Sequence, residues 1–186
     1  MSVKTPVGVI FESLKGSWRL KRSLNSVLPG FPSGIFEGTA TFSSRTPTTH
    51  SVAGELLYAE QGELKMESGL SFKANRKYVY RYNVDEDKIS AWFVTEDSKQ
   101  NEGREEIDYL FHDLEMEQLQ DGWVGRGDHL VSNVLWSVSY VFRCWFPLEQ
   151  CLLVQQYANR FDVSNNMRDP KVPRNAVSAA RRMLNA

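Results

Sequence analysis

The feature that most constrains this sequence is a change from helical to twofold hydrophobic spacing at Gly16. Before it, apolar residues recur at the three- and four-residue intervals of one short helix. After it, apolar and polar residues alternate in many short runs, and the longest of these runs extends from Phe72 to Tyr82. Alternation with period two is typical of strands that bury one face, so most of the chain is predicted to form β-sheet.

The N-terminal segment predicts a short helix over residues 5–15. Thr5 is placed to cap this helix, Pro6 fits its first turn and Gly16 ends it. The apolar stripe of the helix consists of Val7, Ile10, Phe11 and Leu14. Because a single helix cannot bury such a stripe alone, we expect it to pack against the sheet.

Alternating runs continue to Phe161 and are separated by turn signals rich in glycine, proline, asparagine and aspartate. Short consecutive strands with helix only at the ends predict an antiparallel meander, and closing the meander into a barrel removes exposed sheet edges. We therefore predict one all-β domain over residues 1–186: a single antiparallel barrel over 16–161 and a tail over 164–186 with a short C-terminal helix. A content of 41% hydrophobic residues is enough for a core without disulfides or metal.

Composition excludes several classes of function. The 22 basic and 23 acidic residues nearly cancel, which argues against a nucleic-acid partner. No apolar run approaches the roughly 18 residues of a membrane helix, and the N-terminus lacks a signal-peptide pattern, so we expect no membrane partner and a cytoplasmic location. The three histidines and two cysteines lack metal-ligand spacing, and no nucleotide-binding glycine motif occurs, so we expect no metal and no cofactor.

The last three predicted strands can be placed in register from their turns. A hairpin tip between the two cysteines pairs Cys144 with Cys151, as a cross-strand disulfide or, as a reducing cytosol favours, two packed thiols. A tip at residues 132–133 pairs His129 with Trp136. One face then carries Trp123, Gly125, Gly127, His129, Trp136, Val138, Tyr140, Phe142, Leu153, Gln155 and Tyr157.

This face combines large aromatic residues with two glycines and a few polar groups. Glycines opposite Val138 and Tyr140 leave space above the sheet, which suits a small apolar ligand with polar groups. Alternatively, the glycines let the sheet bend while the aromatic residues fill the core, and on these residues alone the second interpretation is favoured.

Two sets of residues resemble known barrel families. Gly16-Ser17-Trp18, after a short helix, resembles the G-x-W signature of lipocalin and wider calycin barrels, in which the tryptophan packs near the closed end beside an arginine of the last strand; Arg160 is the candidate here. A more specific resemblance spans residues 14–160. It is carried by Phe36–Phe42, Tyr58–Gly62, Phe72–Tyr80, Phe111–Leu114, His129 and Trp136–Phe142.

These segments resemble a family of uncharacterised calycin-like proteins, which implies an eight-to-ten-stranded barrel and no particular activity. The sequence departs from the family pattern at Val131, Val134 and residues 155–157, where apolar and aromatic groups replace polar or charged ones. The departures suggest a specialised pocket.

Alternation also turns polar groups toward the interior. Tyr58 with Glu60, and Arg76 with Tyr78 and Tyr80, form two rows that are expected to face inward. A buried carboxylate and a buried guanidinium are costly unless paired, so Glu60 is predicted to pair with Arg76. The pair is either a structural salt bridge or, through Glu60, a source of general acid–base chemistry.

The histidines differ in predicted position. His129, near a hairpin end opposite Trp136, is expected at the barrel rim, either as a proton-transfer group or as a packed, hydrogen-bonded residue. His112 follows Phe111 on a face that alternation leaves ambiguous, and a structural role is favoured. His50 lies in a polar loop and is expected to be exposed.

The favoured hypothesis is a cofactor-independent isomerase or cyclase that holds a hydrophobic, polar-tipped biosynthetic intermediate in one conformation. The predicted catalytic residues are Glu60, His129 and Tyr140. The predicted substrate-binding residues are Tyr58, Arg76, Tyr78, Tyr80, Trp123, Trp136, Gln155 and Tyr157. The alternatives are a non-catalytic carrier or sensor of a similar small molecule, and an interaction module with a filled core.

Overall fold

The computed structural model describes residues 6–28, 33–50, 52–95, 105–120, 122–131, 134–145 and 150–161. Within these ranges, one short helix precedes nine strands of a single sheet. The elements are α1 (Pro6–Ser13), β1 (Gly16–Ser26), β2 (Gly34–Arg45), β3 (Gly54–Met66), β4 (Ser71–Asn83), β5 (Lys88–Val94), β6 (Ile107–Leu119), β7 (Gly122–Val131), β8 (Val134–Trp145) and β9 (Gln150–Phe161). No helix in the described ranges is long and apolar enough to span a membrane.

The nine strands close into a barrel, and their odd number determines how they close. Each strand is antiparallel to the one before it, so β1 and β9 run in the same direction and pair in parallel, from Arg19 with Leu152 to Ser26 with Asn159. The predicted all-β barrel with an N-terminal helix is therefore confirmed, and the parallel seam departs from a fully antiparallel arrangement. The predicted C-terminal helix lies outside the described residues.

The register predicted for the last three strands is confirmed. Cys144 pairs with Cys151 between β8 and β9, and His129 pairs with Trp136 between β7 and β8, as do the flanking pairs. Turn positions were sufficient for this prediction because a hairpin tip sets every pair along the two strands. The predicted disulfide or pair of thiols, with the side chains of both cysteines, lies outside the described part of the structure.

Helix α1 covers one end of the barrel, which we call the helix end. Phe11 on the helix stacks on Tyr82 of β4, with ring centroids 5.6 Å apart. Trp18 Nε1 donates a hydrogen bond of 2.7 Å to the carbonyl oxygen of Leu14, just after the helix. The tryptophan of the G-x-W segment thus packs at the helix end; the side chain of Arg160 lies outside the described set.

The half of the barrel next to the helix is a packed aromatic core. The Phe42 ring lies 4.9 Å from the Tyr58 ring and 5.3 Å from the Tyr80 ring, centroid to centroid. Burial of one such side chain contributes about 1.5–3 kcal/mol. The buried rings of this half are Phe11, Trp18, Phe42, Tyr58, Tyr80, Tyr82 and Phe142.

A β-bulge changes the direction of two side chains in β6. The β5–β6 pairs pass from Ala91 with His112 to Trp92 with Leu110, which leaves Phe111 as an extra residue. Phe111 and His112 are consequently both buried, although strict alternation would turn one of them outward. The bulge settles the face of His112, which alternation had left ambiguous.

Candidate functional site

A buried ion pair crosses the middle of the barrel between β1 and β3. Arg22 Nη1 donates to Glu60 Oε1 at 2.7 Å, and Arg22 Nη2 donates to the other carboxylate oxygen. Arg22 Nε donates to Gln155 Oε1 at 2.7 Å, and the Tyr58 hydroxyl donates to Glu60 Oε2 at 2.5 Å. All four side chains are buried, and this dense hydrogen bonding makes the burial of two charges tolerable.

The hydrogen-bonded partner of Glu60 differs from the predicted one. Arg76 does lie directly opposite Glu60 in the β3–β4 register, as alternation implied. The bidentate pair, however, is made by Arg22 from the other side of Glu60. Arg76 is half-buried, and its Nη1 donates to the Tyr78 hydroxyl at 3.4 Å.

Small residues on β2 allow Arg22 to reach across an intervening strand. Ala40 is paired with Glu60, and Gly38 precedes it on the same face, so no large side chain of β2 blocks this path. The Arg22 guanidinium lies 5.0 Å above the Phe36 ring, which adds a cation–π contact. The sequence analysis did not select Arg22, although this residue continues the alternating run of β1. The only signal that Arg22 could contact β3 was the presence of small residues on β2.

The surroundings of Glu60 keep it ionised. Burial by itself raises the pKa of a carboxyl group, but the Arg22 guanidinium, aided by Arg76, holds the pKa of Glu60 below its usual value of 4.5. Burial, followed by the negative charge of Glu60, raises the pKa of Tyr58 well above 10.0. An ionised carboxylate with both oxygens hydrogen-bonded is a weak proton acceptor, so this geometry favours a structural role for Glu60 over the predicted catalytic one.

A second buried polar pair lies between β6 and β8. The Tyr140 hydroxyl and His112 Nε2 are 2.9 Å apart, and both side chains are buried. On β7 between them stands Gly127, where a Cβ atom would lie only 2.4 Å from His112 Cδ2. The imidazole therefore occupies space that only a glycine leaves open.

His112 is uncharged at neutral pH, and one of its two ring nitrogens has no hydrogen-bond partner among the described residues. Burial, followed by the proximity of His129, lowers the pKa of His112 to about 3. Its Nδ1 is buried and has no hydrogen-bond partner among the described residues. The pair thus consists of a phenol hydrogen-bonded to a neutral imidazole, an arrangement that can transfer a proton, and the second imidazole nitrogen is an unsatisfied buried polar atom.

The space predicted above the two glycines of β7 is occupied by side chains of β6. A Cβ at Gly125 would lie 3.0 Å from the Met116 sulfur, and the position above Gly127 holds His112. The glycines admit neighbouring side chains of the protein, so they do not by themselves form a ligand cavity.

Five rings form a contiguous group toward the end of the barrel opposite the helix, which we call the far end. The Phe111 ring lies 5.6 Å from Tyr78, 4.7 Å from Phe93 and 5.4 Å from His129, centroid to centroid. Phe93 also lies 4.6 Å from Tyr109. These residues, Tyr78, Phe93, Tyr109, Phe111 and His129, are named the far-end aromatic group.

His129 is half-buried within this group. Burial lowers its pKa, against the opposing effect of a hydrogen bond to the backbone of Phe111. The far-end aromatic group adjoins the buried pair, because the Phe111 and His112 rings are 4.2 Å apart. The far-end aromatic group and the His112–Tyr140 pair are therefore continuous in the structure.

The predicted site residues fall into separate places. Glu60, Tyr58 and Gln155 belong to the ion-pair network, Tyr140 belongs to the buried pair, and Arg76, Tyr78 and His129 lie toward the far end. Tyr80 is part of the packed core. Trp123 and Trp136 are half-buried at opposite ends of the β7–β8 ladder. Tyr157 pairs with Val138, and its side chain lies outside the described set.

The sequence analysis favoured a structural role for His112 and did not predict its contact with Tyr140. The available signals were its position before Asp113 in an alternating run and the glycine at 127, but neither reveals a bulge.

Within the described residues, no three histidine, cysteine, aspartate or glutamate side chains converge as a metal site.

Comparison with known proteins identifies one family. Residues 14–167 match a family described as a family of unknown function (DUF6314), which covers most of the chain. No curated protein and no solved structure matches the sequence.

Proposed function

Because the chain belongs to this family of unknown function, its activity has to be inferred from the site, and we propose a cofactor-independent isomerase or cyclase. Its substrate is a small hydrophobic molecule with polar groups that enters at the far end and lies against the far-end aromatic group. The observation that carries this proposal is the buried His112–Tyr140 pair, 2.9 Å apart, adjoining that aromatic surface.

The proposed chemistry is a proton shift. The Tyr140 oxygen removes a proton from a substrate carbon while its own proton passes to His112 Nε2. The reverse transfer then delivers a proton to another substrate atom, so one C–H bond breaks, one C–H or O–H bond forms, and no oxidant or reductant is consumed. Because burial disfavours an imidazolium ion, the negative charge that develops on the substrate has to lie close to His112.

The barrel contributes orientation. The rings of the far-end aromatic group limit the conformations of a flexible substrate, which lowers the entropic barrier to isomerisation or ring closure. The Arg22–Glu60 pair acts as a positioning element: it holds Gln155, which is paired with Tyr140 across β8 and β9. His129, half-buried beside Phe111, is the polar group that meets the substrate nearer the rim.

Deuterium incorporation tests this proposal even while the product is unidentified. Purified protein is incubated in D₂O with a panel of hydrophobic, enolisable carbonyl compounds, and mass spectrometry measures solvent deuterium in each compound. Tyr140→Phe and His112→Gln are expected to slow exchange by about a hundredfold to ten-thousandfold.

Tyr82→Phe is the matched control, because it removes the hydroxyl of another buried tyrosine, one that bonds Asp87 at the helix end. This variant is expected to keep the wild-type rate, and circular dichroism verifies the fold of all three variants. An absence of exchange with every compound, or equal exchange in all variants, would contradict the proposed chemistry.

A second candidate is a non-catalytic carrier or sensor of the same kind of molecule. It is favoured by one observation: Glu60, the predicted catalytic carboxylate, is engaged by Arg22 and Tyr58. A carrier predicts that a ligand recovered from the protein by native mass spectrometry stays chemically unchanged during long incubation. An interaction module with a filled core predicts no bound ligand at all.

We also propose that the family is related to calycin barrels and that the protein acts in the cytoplasm. The relation is supported by the segment Gly16-Ser17-Trp18 at the start of β1 and by the contact of Trp18 with the chain after the covering helix. An experimental structure whose barrel does not superimpose on calycin barrels would contradict the relation, and fluorescence microscopy of a tagged protein tests the location.

A further inference from the structure

The two ring nitrogens of His112 differ in their hydrogen bonding. Nε2 lies 2.9 Å from the Tyr140 hydroxyl, whereas Nδ1 has no hydrogen-bond partner among the described residues. Because His112 is only 2% exposed, bulk solvent does not satisfy Nδ1 either. A buried polar atom without a partner costs folding free energy, and in native proteins such an atom commonly has a catalytic role or binds an ordered water.

The strands on either side of His112 explain why Nδ1 lacks a partner. A Cβ atom at Gly127 would lie 2.4 Å from His112 Cδ2 and 2.7 Å from Cγ, so the Cδ2 edge of the ring faces β7. Nδ1 is on the opposite edge and is turned away from β7. On the β5 side, His112 is paired with Ala91, whose methyl group neither donates nor accepts a hydrogen bond. Neither residue therefore supplies Nδ1 with a polar partner.

We infer that Nδ1 of His112 donates a hydrogen bond to the carbonyl oxygen of the substrate, which is a hydrophobic, enolisable ketone or aldehyde. This inference rests on the proposed function, in which a proton passes from Tyr140 to Nε2. That transfer requires an unprotonated Nε2, and a neutral imidazole then carries its proton on Nδ1. The nitrogen without a protein partner is thus a donor, and a carbonyl oxygen beside the reacting C–H bond is the acceptor that the chemistry provides.

With the carbonyl oxygen at Nδ1, His112 relays protons without becoming charged. The proton of the C–H bond next to the carbonyl group goes to the Tyr140 oxygen, the phenol proton goes to Nε2, and the Nδ1 proton goes to the carbonyl oxygen. The substrate becomes an enol, and His112 becomes its other neutral tautomer. Reversal of the three transfers returns a proton to the same carbon or, in a conjugated enol, to a different carbon.

This relay agrees with the burial of the imidazole. Burial, followed by the proximity of His129, lowers the pKa of His112 to about 3, so an imidazolium ion is strongly disfavoured. A simple base would have to form that ion, whereas the relay exchanges one neutral tautomer for the other. The aromatic surface needed for an apolar substrate is adjacent, since the Phe111 ring lies 4.2 Å from the His112 ring.

Nuclear magnetic resonance tests the tautomer without a ligand. Long-range proton–nitrogen spectra of protein labelled with ¹⁵N in histidine distinguish protonated from unprotonated ring nitrogens, and the signals of His112 are those missing from His112→Gln. At neutral pH we expect a protonated Nδ1 and an unprotonated Nε2. The reverse tautomer would overturn the inference together with the proposed transfer to Nε2.

A matched pair of small molecules tests the hydrogen bond to the carbonyl oxygen. α-Tetralone is a hydrophobic, enolisable ketone, and tetralin has the same two rings without the oxygen. Infrared spectroscopy of α-tetralone labelled with ¹³C at the carbonyl group measures the C=O stretch, which moves to lower frequency when the oxygen accepts a hydrogen bond. We expect the wild type to lower this frequency, and we expect α-tetralone but not tetralin to shift the Nδ1 signal.

Two substitutions of His112 separate the roles of its nitrogens. An asparagine amide reaches about as far as Nδ1, whereas a glutamine amide reaches about as far as Nε2. His112→Asn is therefore expected to keep the lowered C=O frequency, and His112→Gln to lose it and to bind α-tetralone about threefold to tenfold more weakly, the loss of one hydrogen bond. His50→Gln is the matched control, because His50 is exposed, and it is expected to behave as the wild type.

The outcomes distinguish this inference from the proposed function. If α-tetralone does not bind, binds with an unshifted C=O frequency, or binds equally to His112→Asn and His112→Gln, the role of Nδ1 is wrong, while deuterium exchange that depends on Tyr140 still supports the proposed function. If no compound of the carbonyl panel exchanges deuterium, both fail. Should circular dichroism show that the His112 variants do not fold, the wild-type spectra with α-tetralone and tetralin decide the question.

Discussion

Arg22 determines what Glu60 can do. A carboxylate can act as a general base, and alternation alone places Glu60 on the inner face of the barrel, which makes it a candidate for catalysis. Two hydrogen bonds from Arg22 and one from Tyr58 engage both of its oxygens, and the charge of Arg22 lowers the pKa of the carboxyl group, so Glu60 is a weak base. The proposed chemistry is therefore assigned to His112 and Tyr140, whose hydrogen bond joins two uncharged groups.

Removing the negative charge of Glu60 is expected to leave Arg22 buried without its counter-ion. Glu60→Gln should lower the free energy of unfolding by about 3–5 kcal/mol, whereas the double variant Arg22→Leu with Glu60→Leu should lose less, because no unpaired charge remains. Urea denaturation followed by circular dichroism measures both. Glu63→Gln is the control, since Glu63 is exposed and lies 3.8 Å from Lys65. Equal losses in Glu60→Gln and Glu63→Gln would contradict the assigned pairing.

His112 is expected to make stability depend on pH. Its pKa is about 3 when folded and close to 6.5 when unfolded, so the unfolded chain binds the proton more readily. Stability is therefore complete above pH 6.5 and declines as the pH falls toward 3, by about 1.4 kcal/mol per pH unit.

Urea denaturation between pH 7 and pH 5 isolates this effect, because Glu60, whose pKa lies below 4.5, stays ionised there. His112→Gln is expected to show a shallower dependence than the wild type. His129 is present in both proteins, and because its proximity adds to the lowering of the His112 pKa, the difference reports the buried imidazole together with this interaction. Identical pH dependences would show that His112 is not buried as described.

At the scale of elements, β6 and β7 together make room for the buried pair, which joins His112 of β6 to Tyr140 of β8. The bulge in β6 turns both Phe111 and His112 toward the interior, and β7 provides a glycine under the imidazole. Neither strand alone would place His112 beside Tyr140. The two neighbouring glycines of β7 differ in what they accommodate: a flexible methionine at Gly125 and a rigid ring at Gly127.

Gly127→Ala is expected to displace His112, because the new Cβ would lie 2.4 Å from the ring and 2.8 Å from the Asp113 carbonyl oxygen. We expect a loss of about 1–3 kcal/mol in stability and a loss of the deuterium exchange proposed for the His112–Tyr140 pair. Gly125→Ala is the control on the same strand, since the Met116 side chain can move aside. If both variants exchange deuterium at the wild-type rate, the ring does not need the space above Gly127.

At the scale of the whole molecule, closure depends on two elements from opposite ends of the described chain. β1 pairs with β9 in parallel, and this seam also brings Gln155 to Arg22. Pairing residues so distant in sequence requires closure of a long loop, which costs conformational entropy. The barrel therefore closes only through the complete set of strands, because no single hairpin includes both β1 and β9.

Gln156→Pro is expected to disrupt the pairing of β9 with its two neighbouring strands, β1 and β8. Gln156 has an exposed side chain and pairs with Ser23 on β1 and Ser139 on β8, so proline removes a ladder hydrogen bond without disturbing the core. We expect a loss of about 3 kcal/mol or more, against less than about 0.5 kcal/mol for Gln156→Ala. Thermal unfolding followed by circular dichroism compares the two variants, and equal stability would mean that the pairing of β9 at this position does not stabilise the closed barrel.

Much of this fold was predictable from local patterns. The twofold alternation identified the strands, and the turns next to His129 and between the cysteines set the β7–β8–β9 register, because a hairpin allows few registers once its tip is known. Alternation likewise placed Arg76 opposite Glu60. These relations hold between neighbours in the sequence.

Relations between strands that are distant in sequence were decided only by the tertiary structure. Arg22 reaches Glu60 across β2, His112 reaches Tyr140 across β7, and β1 meets β9 at the seam. The first contact depends on the curvature of the barrel, the second also on the bulge in β6, and the third on the odd number of strands. Alternation specifies which face of a strand a side chain occupies, whereas the group it meets across the interior depends on how the closed sheet brings distant strands together.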